Sequence, residues 1–156
     1  MTMNTDAMHD DPLERHLGYW MRLVSNQVSG AFAHSLSQYD LSTAEWVALN
    51  RIERTQDLTS STLSASMSMT RGAVSKILDK LESKALIKRS ASRDDNRVQF
   101  LSLTRDGRRL LPVLTEVANG NDDRFFSVLD ESERTALRLA LQKLADIHAF
   151  RNVPIE

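Results

Sequence analysis

Cysteine is absent from this chain, which excludes disulfides, thiolate metal sites and thiol-based redox sensing. Long apolar runs are absent too. None approaches the roughly 20 residues that a membrane-spanning helix needs, and the opening MTMNTDAMHDD is acidic and polar where a signal peptide would be basic and then apolar. A cytoplasmic protein with no membrane partner is the resulting expectation. The histidines His9, His16, His34 and His148 show no i, i+4 spacing that would set two metal ligands on one helix face, so neither metal nor cofactor is expected. Serines are plentiful, but no G-x-S-x-G turn, Gly-rich phosphate loop or metal motif accompanies them. Asp122 and Asp123, adjacent on a helical segment, would point apart. Nothing here suggests an enzyme, and no internal repeat suggests a solenoid.

What the chain does have is charge in one place. Its net charge is −1, yet from Arg71 to Arg109 eleven Lys and Arg face five Asp and Glu, a local excess of six positive charges that leaves −7 for the remainder. Phosphates respond to the local surface and not to the whole-chain sum. A solvated charged face is the plain alternative while charge stands alone.

The apolar residues are spaced for helices. Asp10 or Asp11 can cap a helix with Pro12 at its first position, and Leu13, Leu17, Trp20/Met21, Val24, Val28, Phe32 and Leu36 continue one stripe to about Tyr39-Asp40. That single long helix carries more apolar surface than a small core needs, so part of it is expected to face a partner. In LSTAEW, Ser42 and Glu45 form a capping box and Leu41 with Trp46 a hydrophobic staple, which predicts a second helix ending near Arg54. A cap at Thr59 or Ser60 opens a short third helix through Leu63 to Met67. Thr70 opens a fourth, with Val74, Ile77, Leu78, Leu81 and Ala85 on one face and Arg71, Ser75, Lys76, Asp79 and Lys80 on the other. LIKRSAS and RVQFLSL have strand character, and Ala91 to Asn96 between them reads as a hairpin linker. Thr104 caps a fifth helix that should bend at Pro112 and Gly120 without stopping. Asp130 and Glu133 form the capping box of the last.

Two short helices joined by a tight turn, the second cationic on its outer face, make a helix-turn-helix, whose second helix fits a DNA major groove. Thr70, Arg71, Ser75 and Lys76 fall near its N-terminus, where side chains reach base edges, with Arg71 the candidate for guanine; Lys80 is placed for a phosphate. A hairpin directly after that helix is a wing. Arg97 is placed to enter the minor groove, braced through its guanidinium by Asp95, with Arg93 placed for a phosphate. A surface ion pair decorating a turn is the plain alternative for Arg97 and Asp95.

The stretch LTSSTLSASMSMTRGAVSKILDKLESKALIKRSASRDDNRVQFLSLTRDGRRLL resembles the winged helix-turn-helix core of the MarR family of transcriptional regulators. Its most specific pieces are MTRGAVSKILDKLE, the Asp95-Asn96-Arg97 triplet matching the family's wing D-x-R, and LSLTRDG. The resemblance spans about Leu13 to Ile147. It implies a mainly α fold with a small β-hairpin wing: a winged helix-turn-helix DNA-binding domain over residues 41–103, a helical dimerisation region over 11–40 and 104–150, and a flexible tail over 1–10. It also implies a homodimeric repressor on palindromic double-stranded DNA, released by a small, often aromatic or phenolic ligand. Trp20, Tyr39 and Trp46, with His16 as a polar partner, are candidates for an effector pocket, core packing being the alternative. The family commonly has glycine after the recognition helix where this chain has Ala85; a left-handed cap there costs alanine roughly 1 kcal/mol, which leaves open how the helix ends. A helical dimeric adaptor that binds a protein partner without DNA is the competing reading.

Overall fold

Each of the last five helices begins at a short polar residue whose side chain accepts a backbone N–H from the third residue on: Ser42, Thr59, Thr70, Thr104 and Asp130. Such caps satisfy donors that a helix start leaves open and contribute about 1 kcal/mol apiece. In the computed structural model, which describes residues 11–95 and 97–151, they set the order α1 (Leu17–Ser37), α2 (Thr43–Arg54), α3 (Ser60–Ser66), α4 (Arg71–Ser83), β1 (Ile87–Ala91), β2 (Gln99–Leu103), α5 (Arg105–Phe126) and α6 (Glu131–Ile147). The fold is mainly α with one hairpin, as expected. The tail expected over 1–10, with the cap candidate Asp10, lies outside the described residues.

The start of the chain differs from expectation. Asp11 does accept the Leu13 N–H, at 2.9 Å, but Pro12 opens only a 3-10 turn, Pro12–Arg15, and extended His16 separates it from α1. The Trp20 indole N–H donates to the Glu14 carbonyl at 2.7 Å, occupying an acceptor that a continuous helix would offer to its own fourth residue on. By contrast α5 runs through Pro112 and Gly120 without ending.

α2, α3 and α4 enclose the core with the base of the hairpin. Leu49, Leu63, Met67, Val74, Leu78, Leu81, Ile87 and Leu103 are all buried, joined by Leu36 from α1 and Leu114 from α5. Burying such a side chain contributes about 1.5–3 kcal/mol, which makes this unit the stable part of the chain. The long helices are different: α1 buries only Leu36, α6 buries nothing, and Leu17 and Leu139 are 82% and 59% exposed.

Glycine is scarce, and the helix ends show it. α1, α3, α4 and α6 each close with a left-handed residue that is not glycine, namely Asp40, Ser68, Ala85 and Ala149. At α4 the Ala85 N–H donates to the Glu82 carbonyl and the Leu86 N–H to the Leu81 carbonyl, the Schellman pattern, with Leu81 and Leu86 both buried. The question left open by Ala85 is thereby answered: alanine takes the conformation that suits glycine.

Candidate nucleic-acid interface

The period of α4 sorts its side chains. Val74, Ile77, Leu78 and Leu81 face the core, while Arg71, Ser75, Lys76, Asp79 and Lys80 are exposed on the opposite side. Thr70, also exposed, caps the helix through the Ala73 N–H at 3.2 Å. α3 packs against α4 across a turn closed by left-handed Ser68, so the pair forms a helix-turn-helix with its cationic face outward.

β1 and β2 pair antiparallel, Ile87 opposite Leu103 and Ala91 opposite Gln99. Leu101 and Leu103 are buried in the core, while Gln99, on the same face at the open end of the strand, is exposed. A third strand-like segment joins them: the Leu101 N–H donates to the Leu58 carbonyl at 2.8 Å and Thr59 bridges to Phe100. This contact brings the start of α3 against the wing, a proximity the sequence pattern did not reveal. A groove of about 390 Å³ results, lined by Thr59, Ser60, Ser61, Arg71, Arg97, Val98 and Gln99. Arg71 donates to the Ser61 hydroxyl at 3.3 Å inside it. Arg71 and Arg97, 26 positions apart in the numbering, therefore share one concave surface.

At the wing tip the expected brace takes another form. The Asp95 carboxylate accepts the backbone N–H of Arg97 at 2.9 Å and makes no ion pair with its guanidinium. A two-residue separation inside a turn favours this side-chain to backbone bond. It shapes the tip and leaves the Arg97 side chain free of described carboxylates. Arg93, Asp94, Asp95 and Arg97 are all exposed; Asn96, the middle of the wing triplet, lies outside the described residues.

Not every cation counted along this stretch is left to face solvent. Arg89 pairs with Asp79 at 2.7 Å and Glu82 at 3.7 Å, which ties β1 to α4. Lys84 turns inward to Glu45, at 2.9 Å. Burial pushes the Glu45 carboxyl up, but the Ser42 backbone N–H and the Lys84 ammonium outweigh it, and the group titrates below its ordinary value. On the outer face of α4 and at the wing tip, Arg71, Lys76, Lys80, Arg93 and Arg97 have no acidic partner among the described residues, and neither do Lys88, Arg105 and Arg109 beside them.

The four expected pocket residues are not brought together. Trp46 lines a cavity of about 240 Å³ between α1, α2 and α5, with Phe32, Thr43, Ala118 and Asn121. Its ring meets Phe32 edge-on at 4.9 Å, and its indole N–H is buried without a hydrogen-bond partner among the described residues. Trp20 lines a separate apolar cavity of about 460 Å³ with Met21, Val24, Phe126, Leu137 and Leu141. His16 and Tyr39 line neither and are exposed, His16 because it sits at the break before α1 and Tyr39 because it lies in the turn after it. Phe32 was legible only as part of an apolar stripe. Asn121, whose amide donates to the Val28 carbonyl at 3.2 Å, carried no signal at all.

Among the described residues no helix is long and apolar enough to cross a membrane. The sequence pattern of the MarR family matches residues 41–98. An uncharacterized HTH-type transcriptional regulator of Bacillus cereus is 31% identical over 143 residues, which cover 88% of this chain and 93% of that protein. The crystal structure of the Mycobacterium tuberculosis MarR family protein Rv2887 in complex with p-aminosalicylic acid is 27% identical, with a TM-score of 0.67 over 83% of this chain and 98% of that one. A crystal structure of Staphylococcus aureus MepR in complex with DNA shares the fold at 24% identity, with a TM-score of 0.72 over 84% of this chain and 97% of that one.

Proposed function

Because the chain belongs to the MarR family of transcriptional regulators, which bind DNA and are not enzymes, we propose that the outer face of α4 and the wing are the surface with which it reads a DNA site. The observation that carries this assignment is the continuity of the exposed cations. Arg71, Lys76 and Lys80 line the outer face of α4, and the groove beside Ser61 joins that face to Arg97. In this reading Thr70, Arg71, Ser75 and Lys76 meet base edges in the major groove, Lys80 and Arg93 meet phosphates, and Arg97 enters the adjacent minor groove from a tip shaped by Asp95.

The same proposal includes a homodimer on a palindromic site, with half-sites about one helical turn apart. Its support is the apolar surface that α1 and α6 leave exposed, including Leu17, Leu137, Leu141 and Leu144. A second copy is the partner that would cover it. Repression relieved by a small aromatic acid completes the reading. The support for it is the cavity at Trp46, with an aromatic pair on one side and an unpartnered indole N–H, together with the p-aminosalicylic acid held by the Mycobacterium relative.

The test is a gel-shift titration with the DNA upstream of the protein's own gene, at fixed salt and with excess competitor, repeated with small aromatic acids and phenols. Retention against competitor and release by a compound that also raises the melting temperature support the whole reading. Loss of the shift to competitor overturns sequence-specific binding there, and a failure of every compound to move either signal overturns the effector role.

A further inference from the structure

Three helix ends meet at one ammonium group. Lys84 is the C-cap of α4. Its Nζ donates to Glu45 Oε1 at 2.9 Å and to the Asp40 carbonyl, and lies 3.6 Å from the Asp40 carboxylate. Asp40 is the left-handed residue that ends α1: its N–H donates to the Ser37 carbonyl and the Leu41 N–H to the Leu36 carbonyl. Glu45 belongs to the first turn of α2, where its second oxygen accepts the Ser42 N–H at 2.7 Å. One cation thus holds the C-terminus of α1, the N-terminus of α2 and the C-terminus of α4. A positive charge between two helix C-termini is also well placed for their dipoles.

The next residues tie the same end of α4 to α5. The Ala85 carbonyl accepts the Thr104 hydroxyl at 2.6 Å, and the Leu86 carbonyl accepts the Thr104 N–H at 3.0 Å. Thr104 caps α5, and Gly107 one turn on lets the helix approach so closely that a Cβ there would stand 2.2 Å from the Leu86 carbonyl oxygen. The C-terminal end of α4 is therefore a point where α1 and α5 both meet the helix-turn-helix.

We infer that Lys84 is a positioning residue for DNA recognition, fixing the angle of α4 against α1 and α2 through Asp40 and Glu45. This inference rests on the reading of α4 as the helix that meets base edges. Base contacts tolerate misplacement of only about 0.5 Å and 10–20°, whereas phosphate contacts made by long flexible side chains tolerate more. A hydrophobic residue would fill the volume at position 84 without direction. An ammonium bonded to acceptors on α2 and at the end of α1 restricts the rotation of α4 as well as filling the volume, the kind of conformational specificity a partly buried ion pair can supply. Lys84 follows Lys80 by one turn, but its ammonium is held by Glu45 and the Asp40 carbonyl, so its charge is already matched and a phosphate would have to compete for it.

The test compares wild type with Lys84→Met, Lys84→Arg, Glu45→Gln and the double variant Glu45→Gln/Lys84→Met. Fluorescence anisotropy would follow binding to a duplex that the wild type selects from a randomised pool, and to an unselected duplex of equal length, over a salt series. Circular dichroism first establishes that each variant is folded at the assay temperature. Lys84→Met is expected to lose about tenfold on the selected duplex, equivalent to about 1.4 kcal/mol, and little on the unselected one, with the salt slope unchanged. Lys84→Arg should recover most of the loss, and removal of Lys84 should cost less when Glu45 is already Gln, as coupled partners require. Should Lys84→Met not fold, the double variant, which buries no unpaired charge, carries the same comparison and the same expected selective loss. A salt slope lowered by about one would make Lys84 a phosphate contact, and equal loss on both duplexes, or no loss, would also overturn the role. If the wild type does not distinguish the two duplexes, the base-reading role of α4 itself fails, and that of Lys84 with it.

Discussion

Replacing Ala85 by glycine should make the protein more stable. Ala85 closes α4 at φ 56°, where an L-residue with a Cβ is strained by about 1–2 kcal/mol. Glycine adopts that conformation freely, but its unfolded chain has more freedom to lose, which returns roughly 0.5–1 kcal/mol. The bonds that define this helix end are made by main-chain atoms of residue 85 and its neighbours, and the Ala85 side chain is exposed, so no packing is lost. The expected net gain is about 0.5–1 kcal/mol, or roughly 1–4 °C in melting temperature for a protein of this size. Urea unfolding followed by circular dichroism at one protein concentration measures it as a raised midpoint at unchanged m. Ala85→Val, which adds β-branching at the same angle, should lower the midpoint. A midpoint that stays put or falls for Ala85→Gly would refute the attribution of strain to the left-handed alanine.

Gly107→Ala should destabilise by about 1–3 kcal/mol, because the added Cβ would stand 2.2 Å from a backbone oxygen that cannot swing aside; an unchanged urea midpoint would show that α5 and the wing base shift to accept it. Glu45 supplies a pH dependence whose sign follows from its lowered pKa. Its folded-state value lies below the ordinary 4.5, so its contribution is complete above that value and is lost as pH falls through the lowered one. Melting temperatures of wild type between pH 7 and 3 should fall more steeply at the acid end than those of Glu45→Gln, and parallel curves would remove the group from the account.

How much of this was legible in the sequence depended on whether the signal was local. Capping depends on residues within one turn, and Ser42 with Glu45, Thr70, Thr104, and Asp130 with Glu133 mark helix starts where the structure has them. The α4 stripe was equally plain, since burial follows its period from Val74 to Leu81. What escaped required knowing which distant segments touch. Lys84 and Arg89 counted as surface cations until Glu45 and Asp79 were found beside them. Arg71 and Arg97 share a groove only because Leu58 and Thr59 add to the edge of β2. At the break at His16 the Glu14 carbonyl accepts the Trp20 indole N–H, a side-chain to backbone bond that periodicity does not register. The aromatic residues were selected by type, and type alone could not separate Trp46, which lines a cavity, from Tyr39, which does not.

The central claim is that the outer face of α4 and the wing tip together read DNA. Titration of the selected duplex with wild type and with Lys76→Ala/Arg97→Ala, at matched salt and with both proteins shown to be folded, tests it most directly. Both substituted side chains are exposed, so stability should be nearly unchanged, while affinity should fall by about tenfold or more. Equal affinity of the folded double variant and the wild type would contradict the account.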